Sequence, residues 1–203
     1  LDNSATSGDQ TYTFDSVANT GDPTQFQALT LLNGTTDIGN GDIAIGSGGA
    51  LLVDNTAATI TDAVTNAGSV EIDGDASLTV GTYSQSGGST RVDGTLTTSN
   101  PIPVTGGMWY GNGTVDGAAT LGAGTTLSPG ASTGIMTYND VLTLENGSLA
   151  LMEVWGVDTA GVDYDQAVGD TTLNLPDSWT LQLDFGNISG THTLTLFDFT
   201  TIN

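Results

Sequence analysis

One short phrase returns along this chain at a spacing of roughly 20 residues. It reads Leu51-Leu52-Val53-Asp54-Asn55, Val70-Glu71-Ile72-Asp73-Gly74, Thr90-Arg91-Val92-Asp93-Gly94 and Thr114-Val115-Asp116-Gly117. Each copy ends in a β-branched residue, an aspartate, and a glycine or asparagine. A second alternating phrase follows the turn, as in Ser77-Leu78-Thr79-Val80 and Thr95-Leu96-Thr97, and Gly-Gly pairs recur at Gly48-Gly49, Gly87-Gly88 and Gly106-Gly107. Two or three strands of a few residues per period describe one coil of a β-solenoid, with alternate side chains buried inward. One coil cannot bury its own apolar face, so coils stack. An antiparallel sandwich also uses short strands and many turns, but it gives no reason for one phrase to return at a fixed spacing. The expectation is an all-β chain folded as a right-handed parallel β-helix.

Three segments follow. Residues 1–27 are polar and read as an N-terminal cap or docking segment. Residues 28–137 carry the coils. Residues 138–203 are richer in Phe, Trp and Leu, lose the repeated phrase, and read as wider coils or a β-rich, sandwich-like C-terminal cap. Within them Thr180–Phe185 and His192–Phe197 alternate as strands do.

Charge narrows the partners. The 203 residues hold 23 acids against Arg91 alone, a net charge of −22. Only Glu71, Glu145 and Glu153 are glutamates; the rest are aspartates, which favour turns over helix interiors. Nucleic acid is excluded, because phosphate contacts need Lys and Arg. An anionic bilayer repels such a chain, and no apolar run is long enough to span one. Cations, neutral glycans and other copies of the chain remain. The absence of cysteine excludes disulfides and thiol chemistry. The first residue is Leu1 rather than Met, and the chain is read as a mature or excised one without its signal peptide.

The ordered set Gly111-Asn112-Gly113-Thr114, Leu127-Ser128-Pro129-Gly130 and Tyr164-Asp165-Gln166 resembles the autotransporter-associated β-strand repeat of autotransporter passengers and large exported bacterial proteins. The resemblance covers about residues 40–200. It implies a β-helical, secreted or surface-attached bacterial chain and a scaffold rather than a catalytic centre. No outer-membrane barrel or sorting tail follows in this sequence.

Candidate chemistry is sparse. Polysaccharide lyases need a basic proton acceptor, and Arg91 would be one cation among many carboxylates. Hydrolases need a carboxylate pair; Asp163 and Asp165 share a strand face. His192 reads as a solvent-facing strand residue. Trp109-Tyr110 and Trp155 read as core or cap packing, with a sugar-stacking platform as the alternative, and Trp179 covers a coil end. The Asn-Gly sites at Asn33, Asn112 and Asn146, and Asn187-Ile188-Ser189, match an N-glycosylation pattern, but the Asn-Gly pairs are foremost turns. Carboxylates suit calcium, and Asp54, Asp73, Asp93 and Asp116 are its candidate ligands; no other cofactor is expected. Aligned coils would set these four aspartates in one column and Glu71 beside Arg91 on the outer surface.

The functional expectation is a non-enzymatic structural subunit of an extracellular assembly. It joins other copies end to end through Tyr12 and Phe14 at one end and Leu194 and Leu196 at the other. An adhesin binding a glycan is the alternative, and a polysaccharide-active enzyme the third.

Overall fold

The computed structural model describes residues 42–203 throughout, and before them the backbone of three strands, β1 (Gln10–Thr11), β2 (Val17–Ala18) and β3 (Ala28–Asp37). Then follow β4 (Ile43–Ile45), β5 (Ala50–Asn66), β6 (Ser69–Ile72), β7 (Ser77–Gln85), β8 (Ser89–Val92), β9 (Thr95–Thr97) and β10 (Ile102–Val104). Continuing along the chain are β11 (Gly107–Gly111), β12 (Thr114–Asp116), β13 (Ala119–Leu121), β14 (Thr125–Pro129), β15 (Ile135–Tyr138) and β16 (Leu142–Leu144). The last four are β17 (Leu149–Val154), β18 (Gln166–Asn174), β19 (Thr180–Phe185) and β20 (Phe197–Ile202). The strands pair in parallel, each with the strand one coil away, as in β6 on β8 and β12 on β15. The chain is a parallel β-solenoid of about 5 turns.

Each coil has three strand positions. The first runs through β5, β6, β8, β11, β14, β17 and β19. Its inward residues stack in register as Leu51, Val70, Thr90, Trp109, Leu127 and Ala150, all buried. The second position stacks Ala58, Leu78, Leu96, Val115 and Tyr138. The third stacks Ile102, Ala119, Leu142 and Leu173. Period-two alternation thus becomes continuous apolar columns, each fully buried aliphatic side chain stabilising by roughly 1.5–3 kcal/mol. The interior is not wholly apolar. Asn66 lies over Gln85, and Thr90 donates to Gln85 Oε1 at 2.6 Å. With that hydrogen spent, the Tyr83 hydroxyl is the donor in its 2.6 Å contact with Thr90 Oγ1. Gln85 Nε2 then donates to the Gly106 carbonyl at 2.8 Å. The edge of Tyr83 also meets Trp109, with ring centroids 5.9 Å apart.

Glycines make the corners passable. Gly88 (φ +63°) and Gly107 (φ +85°) are the second members of the Gly-Gly pairs, and a Cβ on either would overlap a backbone carbonyl oxygen of the coil before it.

The parallel stack continues through residues 138–203, where β16 and β15 both pair with β18, and β18 with β20. These coils are wider. Strand partners from β4 to β14 are 17–21 positions apart, from Ile102 and Ala119 to Ile43 and Val64; Thr143 and Asn174 are 31 apart. The extra length forms a loop between β17 and β18 and another between β19 and β20. Gly169 leaves room for the Phe199 ring to lie over Tyr138, with centroids 6.3 Å apart. Strand β20 begins only at Phe197. The alternation expected from His192 onward is irregular chain up to Leu196: these residues complete the loop, and the Thr195 and Leu196 carbonyls meet β18, accepting from Gln166 Nε2 and the Ala167 N–H.

Candidate functional site

The outer surface of the early coils carries the repeated aspartates. Val53 pairs with Ile72 and Ile72 with Val92, so Asp54, Asp73 and Asp93 follow in one register column. Asp116 does not join them: it pairs with Thr97 at the second strand position. The fourth place belongs to Asn112, whose backbone N–H donates to Asp93 Oδ1 at 3.0 Å. The longer step from Asp93 to Asp116 was the signal in the sequence, and Asn112-Gly113 is the better match to Asp93-Gly94. The charge ladder therefore ends in a neutral residue. Its middle member, Asp73, is pushed above the usual carboxylate range by burial first, then by Glu71, Asp54 and Asp93, while Arg91 acts against this. Glu71 and Arg91 pair in register and form an ion pair, and Arg91 also pairs with Asp93. Both side chains of the Glu71–Arg91 pair remain about one-third exposed. Among the described residues no three His, Asp or Glu side chains gather where they could hold a metal ion.

The other candidates separate. Trp109 is fully buried, so it offers no platform to a sugar. Trp155 is 56% exposed and packs over Gly186. Trp179 meets Phe197 edge-on at 5.8 Å and both pack against the core. His192 is exposed but lies in the irregular chain, its Nε2 2.9 Å from the Ser189 carbonyl oxygen. Tyr12 and Phe14 lie outside the described residues. Leu194 and Leu196 are half-buried in the loop before β20 rather than in a strand, and the Leu196 carbonyl accepts from the Ala167 N–H where β20 joins β18.

Asp163 and Asp165 are both occupied. Asp163 Oδ2 accepts the N–H groups of Asp158 and Thr159 at 3.1 and 2.9 Å, folding the loop around itself. Asp165 is buried, and its two oxygens accept the N–H groups of Gly134 and Glu153, each at 2.8 Å. Asp163 is partly exposed in the loop, whereas Asp165 is fully buried. The sequence motifs meet at one corner. Gly130 N–H donates to the Gly111 carbonyl at 2.8 Å, a Cβ on Gly134 would overlap the Asn112 side chain, and Gly134 meets Asp165. These motifs build the corner that joins the narrow coils to the wide ones.

Sequence reasoning placed the joining surface at the coil ends but did not identify the strands of the last layer. Strands β19 and β20 pair on one side only among the described residues. Leu181 stands over buried Ala150, Phe185 over buried Val154 and Ile202 over buried Leu173. Inward columns that are closed one coil earlier thus end in side chains that are 42%, 59% and 50% exposed. The signal was present in the alternation of Thr180–Phe185, but sequence does not say which strand lies last in space. A shallow groove of about 440 Å³ runs beside β18 and β20, lined by Asn139, Asp170, Asp198 and Phe199 among others. Among the described residues no helix is long and apolar enough to cross a membrane. No protein-family model, curated protein or solved structure matches the chain.

Proposed function

We propose that this chain is a non-catalytic structural module of an extracellular or cell-surface bacterial assembly, extending end to end through its solenoid axis with other copies of itself. The observation that carries the reading is that, among the described residues, β19 and β20 pair on one side only and the apolar columns below them end in the exposed side chains Leu181, Phe185 and Ile202. An exposed apolar edge of this kind is a template for an added strand. A head-to-tail contact is heterologous and makes an open fibre. The charge of −22 opposes side-by-side clumping, and salt or divalent ions relieve it. The likeness of the corner motifs to the autotransporter-associated repeat supports the extracellular setting, and their structural use supports a scaffold. The outer-surface aspartates would then meet calcium only as screening ions.

Trp155 favours a second reading, an adhesin binding a neutral glycan, because its half-bare indole offers a face on which a sugar ring can stack. Light scattering and electron microscopy of the purified chain, beside a Leu181→Glu/Phe185→Glu variant, test the first reading. Concentration-dependent filaments are expected from the wild-type chain and monomers from the variant. A wild-type chain that stays monomeric at high concentration in salt and calcium overturns self-association, and retention on a glycan array that Trp155→Ala abolishes would then favour the adhesin.

A further inference from the structure

Asp165 occupies an unusual electrostatic position. Its backbone N–H donates to the Glu153 carbonyl at 2.9 Å while its carboxylate accepts the Glu153 and Gly134 N–H groups, and the next residue, Gln166, donates its N–H to the Gly134 carbonyl at 2.9 Å. Gln166 Nε2 reaches on to the Thr195 carbonyl at 2.8 Å. Two consecutive residues thus clip together the turn before β15, strand β17, strand β18 and the segment leading into β20.

The carboxylate that does this is fully buried and has no cation beside it. The chain's one Arg or Lys, Arg91, lies in β8 and is already bound to Glu71 and Asp93. The groups facing Asp165 are of its own sign or neutral. Strand β17 brings Glu153, and the loop brings Asp163, which is bound to the Asp158 and Thr159 N–H groups, and Tyr164. The turn at residues 130–134 and the start of β18 bring no ionisable side chain. Two N–H donors favour the ionised form, but burial without a counter-charge disfavours it more.

We propose that Asp165 is a proton-sensitive staple, which holds the terminal coils more tightly when it is protonated at mildly acidic pH than when it is ionised at neutral pH. Burial pushes its carboxyl up to about 6, the Glu153 and Gly134 N–H groups acting downward and the Glu153 charge upward. The sign follows from linkage. Below the unfolded value of 3.8 the group is protonated in both states and contributes no pH dependence. Between that value and about 6 the folded state holds the extra proton, so stability falls as pH rises through this window and levels off above it. The change is about tenfold in the local folding constant between pH 7.5 and pH 5.

Native-state hydrogen exchange, corrected for intrinsic rates, tests this on the full chain at those two pH values. Amides of β18 and β20 are expected to gain about tenfold more protection at pH 5 than amides of β7 and β9, which share the general relief of acidic repulsion. Asp165→Asn, neutral at both pH values, is expected to lose that differential. A differential unchanged in the variant overturns the proposal. Should the variant fail to fold, carboxyl-carbon NMR titration of the wild-type chain decides: a midpoint above 5 for Asp165 supports the staple, and one below 4.5 refutes it.

Discussion

Replacing Gly88 with alanine probes what makes coil stacking possible. Gly88 turns the corner into β8 at φ +63°, a left-handed conformation that costs an alanine roughly 1–2 kcal/mol. Its Cβ would also fall inside the carbonyl group of Gly68, one coil away, which belongs to backbone and cannot swing aside. Relief requires coils to move apart at that corner, adding about 1–3 kcal/mol of packing strain. Gly88→Ala is therefore expected to destabilise by about 2–5 kcal/mol. Gly48→Ala is the control, because a Cβ there meets nothing within 4 Å and its φ lies outside the left-handed region. There the loss of unfolded-state entropy should leave stability unchanged or raise it by up to about 1 kcal/mol. Equilibrium denaturation in guanidinium, followed by circular dichroism, compares the two. In a repeat fold the broken corner should also split or broaden the transition. A Gly88→Ala chain within about 0.5 kcal/mol of wild type, or a Gly48→Ala chain equally destabilised, would refute the reasoning.

Gln85→Leu removes the amide that accepts from Thr90 and donates to the Gly106 carbonyl; Thr90 keeps its contact with Tyr83 and Gly106 is only partly buried, so the loss of both bonds is expected to cost about 1.5–3 kcal/mol in the same assay. Tyr83→Phe deletes only the donor to Thr90 and should cost about 1 kcal/mol, less than Gln85→Leu. A double-mutant cycle of Arg91→Gln and Glu71→Gln should give a coupling of only about 0.2–1 kcal/mol, falling with salt, because both partners are partly solvated.

Stacked parallel coils and apolar columns could be read from spacing alone, because alternation and turn residues recur together and a coil cannot stand by itself. The Glu71–Arg91 pair followed from the same register. What failed was position wherever the period changed. The phrase ending at Asp116 resembles the three before it, yet coil length places Asn112 above Asp93 and moves Asp116 to another strand position. A local phrase specifies a strand and a turn; the count of residues between corners specifies the neighbour. Leu194 and Leu196 misled for a related reason. Alternation over Thr193–Phe197 is compatible with a strand, but the loop between β19 and β20 uses those residues to reach the next coil, and pairing starts at Phe197. Asp165 was visible as part of a motif and as a neighbour of Asp163, but its burial was not. A charge that a short polar phrase would leave in water is enclosed here only because the wide coil brings Gly134 and Glu153 to it.

The acidic column makes a prediction with an uncommon sign, that removing a native charge stabilises the chain. Asp73 stands between Asp54 and Asp93 in adjacent coils, a strand spacing of ~4.8 Å, and Glu71 lies on its own strand. Two unit charges at that separation repel by about 1 kcal/mol even in water. Part-exposed carboxylates splay and are screened, and Arg91 offsets some of the repulsion, so the net relief of burial and repulsion from Asp73→Asn should be about 0.5–1 kcal/mol at pH 7 and low ionic strength. Asparagine keeps the side-chain oxygen that turns favour, and Asn112 already occupies the next place in the column. In 1 M salt the Debye length falls to about 3 Å and the gain should largely vanish. The pH dependence has a fixed sign as well. Because the folded carboxyl lies above its ordinary value of 3.8, the penalty is absent where Asp73 is protonated in both states and grows as pH rises through the raised value. The advantage of the variant should therefore be lost below about pH 4. A variant less stable than wild type at low salt, or a gain that survives unchanged in 1 M salt, would mean that turn geometry rather than repulsion governs this column.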